Sequence, residues 1–186
     1  MDGIVTPQRY AQGLAYSEYL AQMGANREHF ERNDREFILG PDDEEFFAAS
    51  NGRLGPIKAL ALSEDWCPDV QRGLPIMARI AGSAGMELRV FPRDANMDIM
   101  DQYLNQGKFA SIPTFVFFDR DWRELGQWIE RPAAATAIMN EIKGELSKAH
   151  LSEEETKREV RKRVAGLWDD WRQETVRELR ELLAGR

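Results

Sequence analysis

The central part of the chain alternates between strand patterns and helix patterns, and this order limits the fold more than any other feature of the sequence. Residues 56–62 form a short apolar run between turn residues, which is typical of a buried parallel strand. Residues 86–91 alternate as a second strand does, and residues 112–118 predict a third, whose partner at 123–129 returns after a turn. Helical patterns separate the first three strands, and another follows the fourth. The sequence therefore predicts an α/β fold, a mixed sheet flanked by helices.

Helical patterns also occupy both ends of the chain. Thr6 and Pro7 predict the cap and first residue of a helix that runs to Gly24, and Asn26 predicts the cap of a second helix. Residues 152–155 read as a capping box that opens one long amphipathic helix extending toward the end of the chain. Because such a helix is not stable on its polar faces alone, its apolar stripe must be buried, either on the N-terminal helices or on a second copy.

The length of 186 residues fits one domain with appended elements. We predict an N-terminal helical extension over residues 1–40, a central domain over 41–147 and the long helix within 148–186. Two tryptophans of that helix, Trp168 and Trp171, are expected on its exposed side. There they would form a surface for a partner or for a homodimer.

The charge distribution argues against two classes of partner. The net charge is −7, with an acidic body and a nearly balanced tail, so neither part offers the basic patch that nucleic acid or an anionic membrane requires. No apolar run approaches the ~20 residues that a membrane span needs. The N-terminus lacks the layout of a signal peptide, and a single cysteine gives no reason for an oxidising compartment. We therefore expect a cytoplasmic protein without nucleic-acid or membrane partners.

The only cysteine, Cys67, stands between the first predicted strand and the helix after it. A thiol at the start of a helix faces unpaired N–H groups and the positive end of the helix dipole, which favour the thiolate. Pro68 suits the first helical position, and Trp66 is expected to shield the sulfur. Asp69 acts in the opposite direction, because a nearby negative charge raises the pKa of a thiol.

The motif Trp66-Cys67-Pro68-Asp69, followed by Ile112-Pro113 before the third strand and by the hairpin, resembles the thioredoxin superfamily. The resemblance spans residues 56–139 and is strongest to a cytosolic branch with helical additions. It implies a thioredoxin-like fold in which Pro113 is cis and lies against the cysteine. It also implies Cys67 as the candidate catalytic thiol. The implied substrate-binding residues are Trp66, Pro68, Asp69, Ile112 and Pro113.

Two departures from the family pattern argue against an ordinary dithiol reductase. Val70 stands where the family has its second cysteine, so a mixed disulfide on Cys67 has no resolving thiol in the chain. Ala61 replaces the buried acid that the resemblance places six residues before the cysteine. One hypothesis is thiol redox chemistry on a single sulfur, as a mixed disulfide with protein thiols or glutathione, or as a sulfenic acid. The alternative is a redox-inert module for binding or oligomerisation, in which Cys67 is a remnant.

No motif predicts a cofactor or a metal ion. His29 and His150 are far apart in the sequence and stand outside any motif, and one cysteine gives no metal-ligand spacing. There is no glycine-rich phosphate loop and no Ser/His/Asp signature.

Overall fold

The protein is built on a four-stranded mixed sheet, seen in a computed structural model that describes residues 3–186. The strands are β1 (Lys58–Ser63), β2 (Glu87–Pro92), β3 (Thr114–Phe118) and β4 (Glu124–Ile129), in the spatial order β2-β1-β3-β4. β1 is parallel to β2 and antiparallel to β3, and β3 pairs with β4 as an antiparallel hairpin. The predicted α/β fold with a mixed sheet is confirmed.

Nine α-helices accompany this sheet among the described residues. In chain order the helices are α1 (Pro7–Tyr10), α2 (Tyr16–Gln22), α3 (Arg27–Glu36), α4 (Pro41–Leu54), α5 (Pro68–Ala84), α6 (Met97–Met100), α7 (Ala133–Leu146), α8 (Glu153–Val164) and α9 (Trp168–Ala184). Helices α3, α4 and α9 pack on α5, and α9 also contacts β4.

The central strands and α5 form where the sequence has its strongest local signals. β3 is buried along its whole length and β1 everywhere except Lys58, as expected for strands covered on both faces. α5 starts with Pro68 at its first position and continues through Pro75. It ends at Gly85, whose φ of +71° is the left-handed conformation that glycine adopts without strain.

The N-terminal helix differs from the prediction. Thr6 does cap it, accepting a hydrogen bond from the Arg9 N–H at 3.1 Å, but α1 ends at Tyr10 rather than near Gly24. The chain then leaves the helix so that Leu14 pairs with Val90 at the edge of β2 through two backbone hydrogen bonds of 2.8 and 2.9 Å. Pairing with a sheet edge satisfies backbone groups that a continuous helix would have satisfied internally.

The C-terminal helix also differs in one respect. Its start is confirmed, because Ser152 and Glu155 form the capping box. A short 3-10 turn at Ala165–Leu167 then separates α8 from α9, at the position of Gly166. α8 packs against α7 in a small separate core that also includes Trp171 of α9, whereas Val176, Leu179 and Leu183 of α9 join the main core. The amphipathic segment therefore contributes to two cores.

The structure also corrects the placement of one tryptophan. Trp171 is only 4% exposed, so the prediction that it lies on the exposed side of the helix is wrong. Trp168 is half-buried. The apolar stripe of α9 is buried against residues of the same chain. Its main members are Val176, Leu179 and Leu183, each of which is 3% exposed or less.

Of the helices within residues 3–186, none has the length and apolar character required to cross a membrane.

Candidate functional site

Cys67 lies at the junction between β1 and α5, where it is the N-terminal cap residue of the helix. Its side chain is 9% exposed, and its Sγ donates a hydrogen bond to the Ile112 carbonyl oxygen at 3.6 Å. The peptide bond between Ile112 and Pro113 is cis. Cys67, Ile112 and Pro113, which are distant in the sequence, therefore meet in one place.

Burial is the dominant influence on the thiol. It raises the pKa of Cys67 above the ordinary value, and the negative charge of Asp69 adds to this increase. The backbone N–H groups of Val70 and Asp69 act in the opposite direction, as expected at a helix start, and so does the charge of Arg131. These contributions are smaller, and the net result is a thiol that keeps its proton near neutral pH. The helix start favours the thiolate as predicted, but desolvation outweighs it.

The carboxylate of Asp69 is engaged in a network of ion pairs. Its Oδ1 accepts from Arg72 Nη2 at 2.6 Å and its Oδ2 from Arg131 Nη2 at 2.6 Å, and Arg131 also pairs with Glu130. The side chain of Arg72 is only 3% exposed. Both arginines partly neutralise the charge beside the thiol, and they leave Asp69 little freedom to contact a substrate.

Neither of these two arginines was predicted from the sequence. Arg72 stands three positions after Asp69 on the same helix, a spacing that brings side chains together, so it could have been found. Arg131 is 62 positions away and follows β4, and no local signal connects it to Asp69.

Trp66 and Pro68 lie on the outer side of the site. Trp66 is 53% exposed, with the guanidinium of Arg93 5.3 Å from its ring centroid. Arg93 Nη1 also donates to the Ala110 carbonyl oxygen at 3.1 Å, so it connects Trp66 to the loop that precedes Ile112. Pro68 is exposed at the first position of α5. The expected shield of Trp66 over the sulfur is thus incomplete, with about half of the indole in solvent.

A glycine permits the close approach of α5 to the proline loop. A Cβ atom on Gly73 would lie 3.1 Å from Pro113 Cγ and 3.8 Å from Phe115 Cζ. The first of these distances is tighter than ordinary packing, so a larger side chain would push the loop away from Cys67. This role was not predicted from the sequence, because a glycine inside a helix gives no sign of what it packs against.

The two residues that depart from the family pattern are both inaccessible to solvent. Ala61 on β1 and Val70 on α5 are 0% exposed. Val70 follows Cys67 by three residues at the start of the helix, so its side chain lies on the same face, one turn away.

We expect the substitution Val70→Cys to create an oxidisable pair with Cys67. The two side chains would lie at the spacing of a helical turn, within reach of a disulfide. Oxidation should remove both free thiols, as measured by thiol titration and by the change in mobility on reduction. Ala81→Cys is a matched control, since it adds a buried cysteine on α5 roughly 20 Å farther along the helix axis. A Val70→Cys protein that keeps two free thiols under the same oxidation would contradict the placement of the motif.

Among residues 3–186 the structure shows no cluster of three or more His, Cys, Asp or Glu side chains that could hold a metal ion. The candidate site consists of one thiol, one proline loop and a network of ion pairs.

Comparison with known proteins gives one family and two similar structures. A family model described as thioredoxin matches residues 13–149. A protein of unknown function from Pseudomonas aeruginosa has a TM-score of 0.69 and 17% identity, with 95% of each chain covered. An HIV epitope-scaffold has a TM-score of 0.68 and 17% identity, covering 95% of this chain and 96% of that one. A comparison with curated proteins gave no match.

The two structural similarities extend over nearly the whole chain and therefore include the terminal helices as well as the sheet. At 17% identity they show the shared fold alone. The family match is the stronger statement, because it runs from before α2 to beyond α7 and includes Cys67, Ile112 and Pro113. On this match, which spans more than half of its length, the chain belongs to the thioredoxin family.

Proposed function

We propose that the protein takes part in thiol redox chemistry through Cys67 alone, forming one mixed disulfide with a small or protein thiol. The observation that carries the proposal is the position of the sulfur: it caps α5 and lies 3.6 Å from the carbonyl oxygen of Ile112, beside Pro113. An incoming disulfide would reach the sulfur at this junction, and the Ile112 backbone would contact its chain. Trp66 and Pro68 would contact the same partner from the outer side.

The chemistry balances with one disulfide as the oxidant. The Cys67 thiolate attacks a sulfur of a disulfide such as oxidised glutathione, one S–S bond breaks and one forms, and the other half leaves as a thiolate that takes up the proton. The chain has one cysteine, so a second external thiol must release the adduct. A reducing compartment such as the cytoplasm would supply that thiol.

The raised pKa sets the rate and the lifetime of this adduct. A small thiolate fraction makes the attack slow near neutral pH, and a thiol with a raised pKa is also a poor leaving group. Formation and release are therefore both slow, which fits a reversible modification better than rapid turnover. Peroxide oxidation to a sulfenic acid would be slowed in the same way, because it also requires the thiolate.

We expect the rate of mixed-disulfide formation with oxidised glutathione to rise about tenfold per pH unit from neutral pH to the folded pKa of Cys67. Because burial raises the pKa of Cys67 above the ordinary value of 9.0, the rise should continue past pH 9.0, where an exposed cysteine levels off. Intact-mass spectrometry over time measures the adduct, and dithiothreitol should remove it. A free peptide thiol is the reference for the pH profile.

Cys67→Ser is the control that must form no adduct. The proposal fails if the folded protein forms no adduct even at alkaline pH, whereas the same chain reacts readily in denaturant. That outcome would show that the fold holds the sulfur out of reach.

The second candidate function is a redox-inert binding or oligomerisation module of the same fold. The observation that favours it is the burial of Cys67, which is 9% exposed and has a pKa raised mainly by desolvation. The engaged Asp69 carboxylate adds to this, since the charges around the thiol are already paired. An unchanged partner interaction in Cys67→Ser would identify this function.

A further inference from the structure

A cavity of about 750 Å³ lies between α8 and α9 on one side and α3, α5 and α7 on the other. Its volume falls within the range of small-molecule sites in proteins. It reaches Pro68 and Asp69 at the start of α5, but Cys67 is not part of its wall. Neither the thiol chemistry nor the proline loop accounts for it.

The walls of this cavity are mostly apolar. Val160 and Val164 of α8, Met139 of α7, and Trp168 and Trp171 around the start of α9 form the apolar surface. Large rigid aromatic rings beside aliphatic side chains suit the hydrocarbon body of a ligand, because each buried CH₂ group contributes roughly 0.8 kcal/mol by leaving water.

The charged side chains at the same cavity are unevenly matched. Its three acidic residues are all paired: Asp69 with Arg72, and both Glu36 and Asp169 with Arg172. Three cations remain without a carboxylate partner among residues 3–186. These three exposed side chains lie on three different helices: Arg32 on α3, Lys143 on α7 and Arg161 on α8. The cavity therefore carries a cationic surplus in a chain whose net charge is −7.

Two arginines and one tryptophan of the cavity wall carry buried donors that lack an acceptor. Arg72 is 3% exposed and Arg172 is 4% exposed, and the Nε–H of each lacks an acceptor among the described residues. The Nε1–H of Trp171 lacks one as well. Buried donors without acceptors are uncommon, because each loses its hydrogen bond to water without replacement. These three donor atoms are themselves buried, and both guanidinium groups are paired with carboxylates. The preference of the cavity for an anion therefore rests on the rim cations Arg32, Lys143 and Arg161.

We propose that this cavity binds a soluble amphipathic acid, whose acyl chain lies against Trp168, Trp171 and Val160 and whose carboxylate pairs with the rim cations. Arginine suits a carboxylate because its planar guanidinium presents two parallel donors. A cationic amphiphile would bring the same hydrocarbon into a site of like charge. The proposal goes beyond the thiol chemistry and does not depend on it, because none of these groups is Cys67.

The test is calorimetric titration of the full-length protein with dodecanoate below its critical micelle concentration. We expect saturable binding of one molecule per chain and no binding of dodecyltrimethylammonium, which has the same chain and the opposite charge. The triple variant Arg32→Gln/Lys143→Gln/Arg161→Gln should weaken binding about tenfold, the sum of three exposed ion pairs. Cys67→Ser should bind dodecanoate like the parent protein.

A second variant tests the apolar wall. Val160→Trp should narrow the cavity at its apolar wall and weaken dodecanoate binding, with circular dichroism to show that the fold is kept. The triple variant lies at the exposed rim, so it remains informative if Val160→Trp fails to fold. Equal affinity for the two amphiphiles, or dodecanoate binding unaffected by the triple variant, would overturn the proposal. So would binding to phosphatidylglycerol vesicles without binding to monomeric dodecanoate, since that pattern indicates a membrane surface instead of a soluble acid.

Discussion

The free energy of unfolding should fall by about 6 kcal/mol between about pH 8 and about pH 11, because the tyrosines hold their protons more tightly in the folded protein. Burial is the main cause that raises the pKa of all four tyrosines of the chain. They are Tyr10, Tyr16, Tyr19 and Tyr103. A loss of this size is comparable with the whole stability of many domains.

The direction of the effect follows from proton binding. Above a pH near 10, unfolded tyrosines release protons that the folded protein still holds, so rising pH favours the unfolded chain. The tyrosine contribution is thus complete below the unfolded pKa and is lost as the pH rises toward the folded pKa. Between the unfolded and folded pKa values, each tyrosine lowers the free energy of unfolding by about 1.4 kcal/mol per pH unit. Cys67, whose pKa is also raised by burial, acts in the same direction.

The hydroxyl groups have specific partners inside the fold. Tyr10 donates to the Glu87 carbonyl oxygen at 2.8 Å, and Tyr16 donates to Asp34 Oδ2 at 3.0 Å. Tyr19 accepts from Ser63 Oγ at 2.9 Å. For Tyr10 and Tyr16, ionisation would remove the donated bond and leave a negative charge beside an oxygen, which is a further reason for these two to stay protonated while the protein is folded. The bond from Ser63 lowers the pKa of Tyr19, but burial outweighs it.

Urea denaturation at a series of pH values measures the loss, and the ultraviolet absorbance of tyrosinate reports the protonation directly. Tyr103→Phe is the matched variant, because within residues 3–186 the Tyr103 hydroxyl bonds only to the exposed Glu124 carboxylate. It should reduce the fall in stability by about a quarter, or about 1.4 kcal/mol at about pH 11. Tyrosinate absorbance that appears in the native protein with a midpoint near 10 would contradict the prediction.

The central fold could be predicted because each element there has a strong local signal. Residues 56–62 and 112–118 are apolar runs bounded by turn residues, and they became β1 and β3. The breaks in the terminal helices could not be predicted in the same way. Leu14 leaves its helix for a bridge to Val90, and such a choice depends on a sheet edge that is remote in sequence. Gly166 weakens a helix, but a single glycine does not show that α8 packs with α7 in a small core while most of the α9 stripe joins the main one.

The candidate site was predictable only in part, for a related reason. The meeting of Cys67 with Ile112 and Pro113 followed from the family resemblance, and the structure brings these residues together. The protonation of the thiol did not follow, because desolvation depends on how deeply the fold buries the sulfur. Arg131 reaches Asp69 from beyond β4, and the cavity arises from five helices that are separate in the sequence. Properties that depend on such distant contacts require the structure.

The double substitution Leu179→Ala/Leu183→Ala should lower the free energy of unfolding by about 6 kcal/mol, within the range for two large-to-small core changes. Both leucines are 1% exposed and belong to the main core. The polar contacts of α9 are also made within the chain: Glu178 accepts from Trp128 Nε1 and from the Ala133 N–H, each at 2.7 Å, so it joins β4 to the start of α7. Urea denaturation measures the change.

Gln173→Ala is the matched control, since Gln173 is an exposed residue of the same helix and its truncation should change stability by less than about 0.5 kcal/mol. Sedimentation separates the packing on the chain itself from the alternative homodimer. If the stripe of α9 is covered within the chain, the sedimentation coefficient of the parent protein should not depend on protein concentration. The stability loss in the double variant should not depend on protein concentration either. A dimer whose stability rises with protein concentration, and which the double variant dissociates, would contradict this packing, because burial on a second copy is the one arrangement that links stability to association.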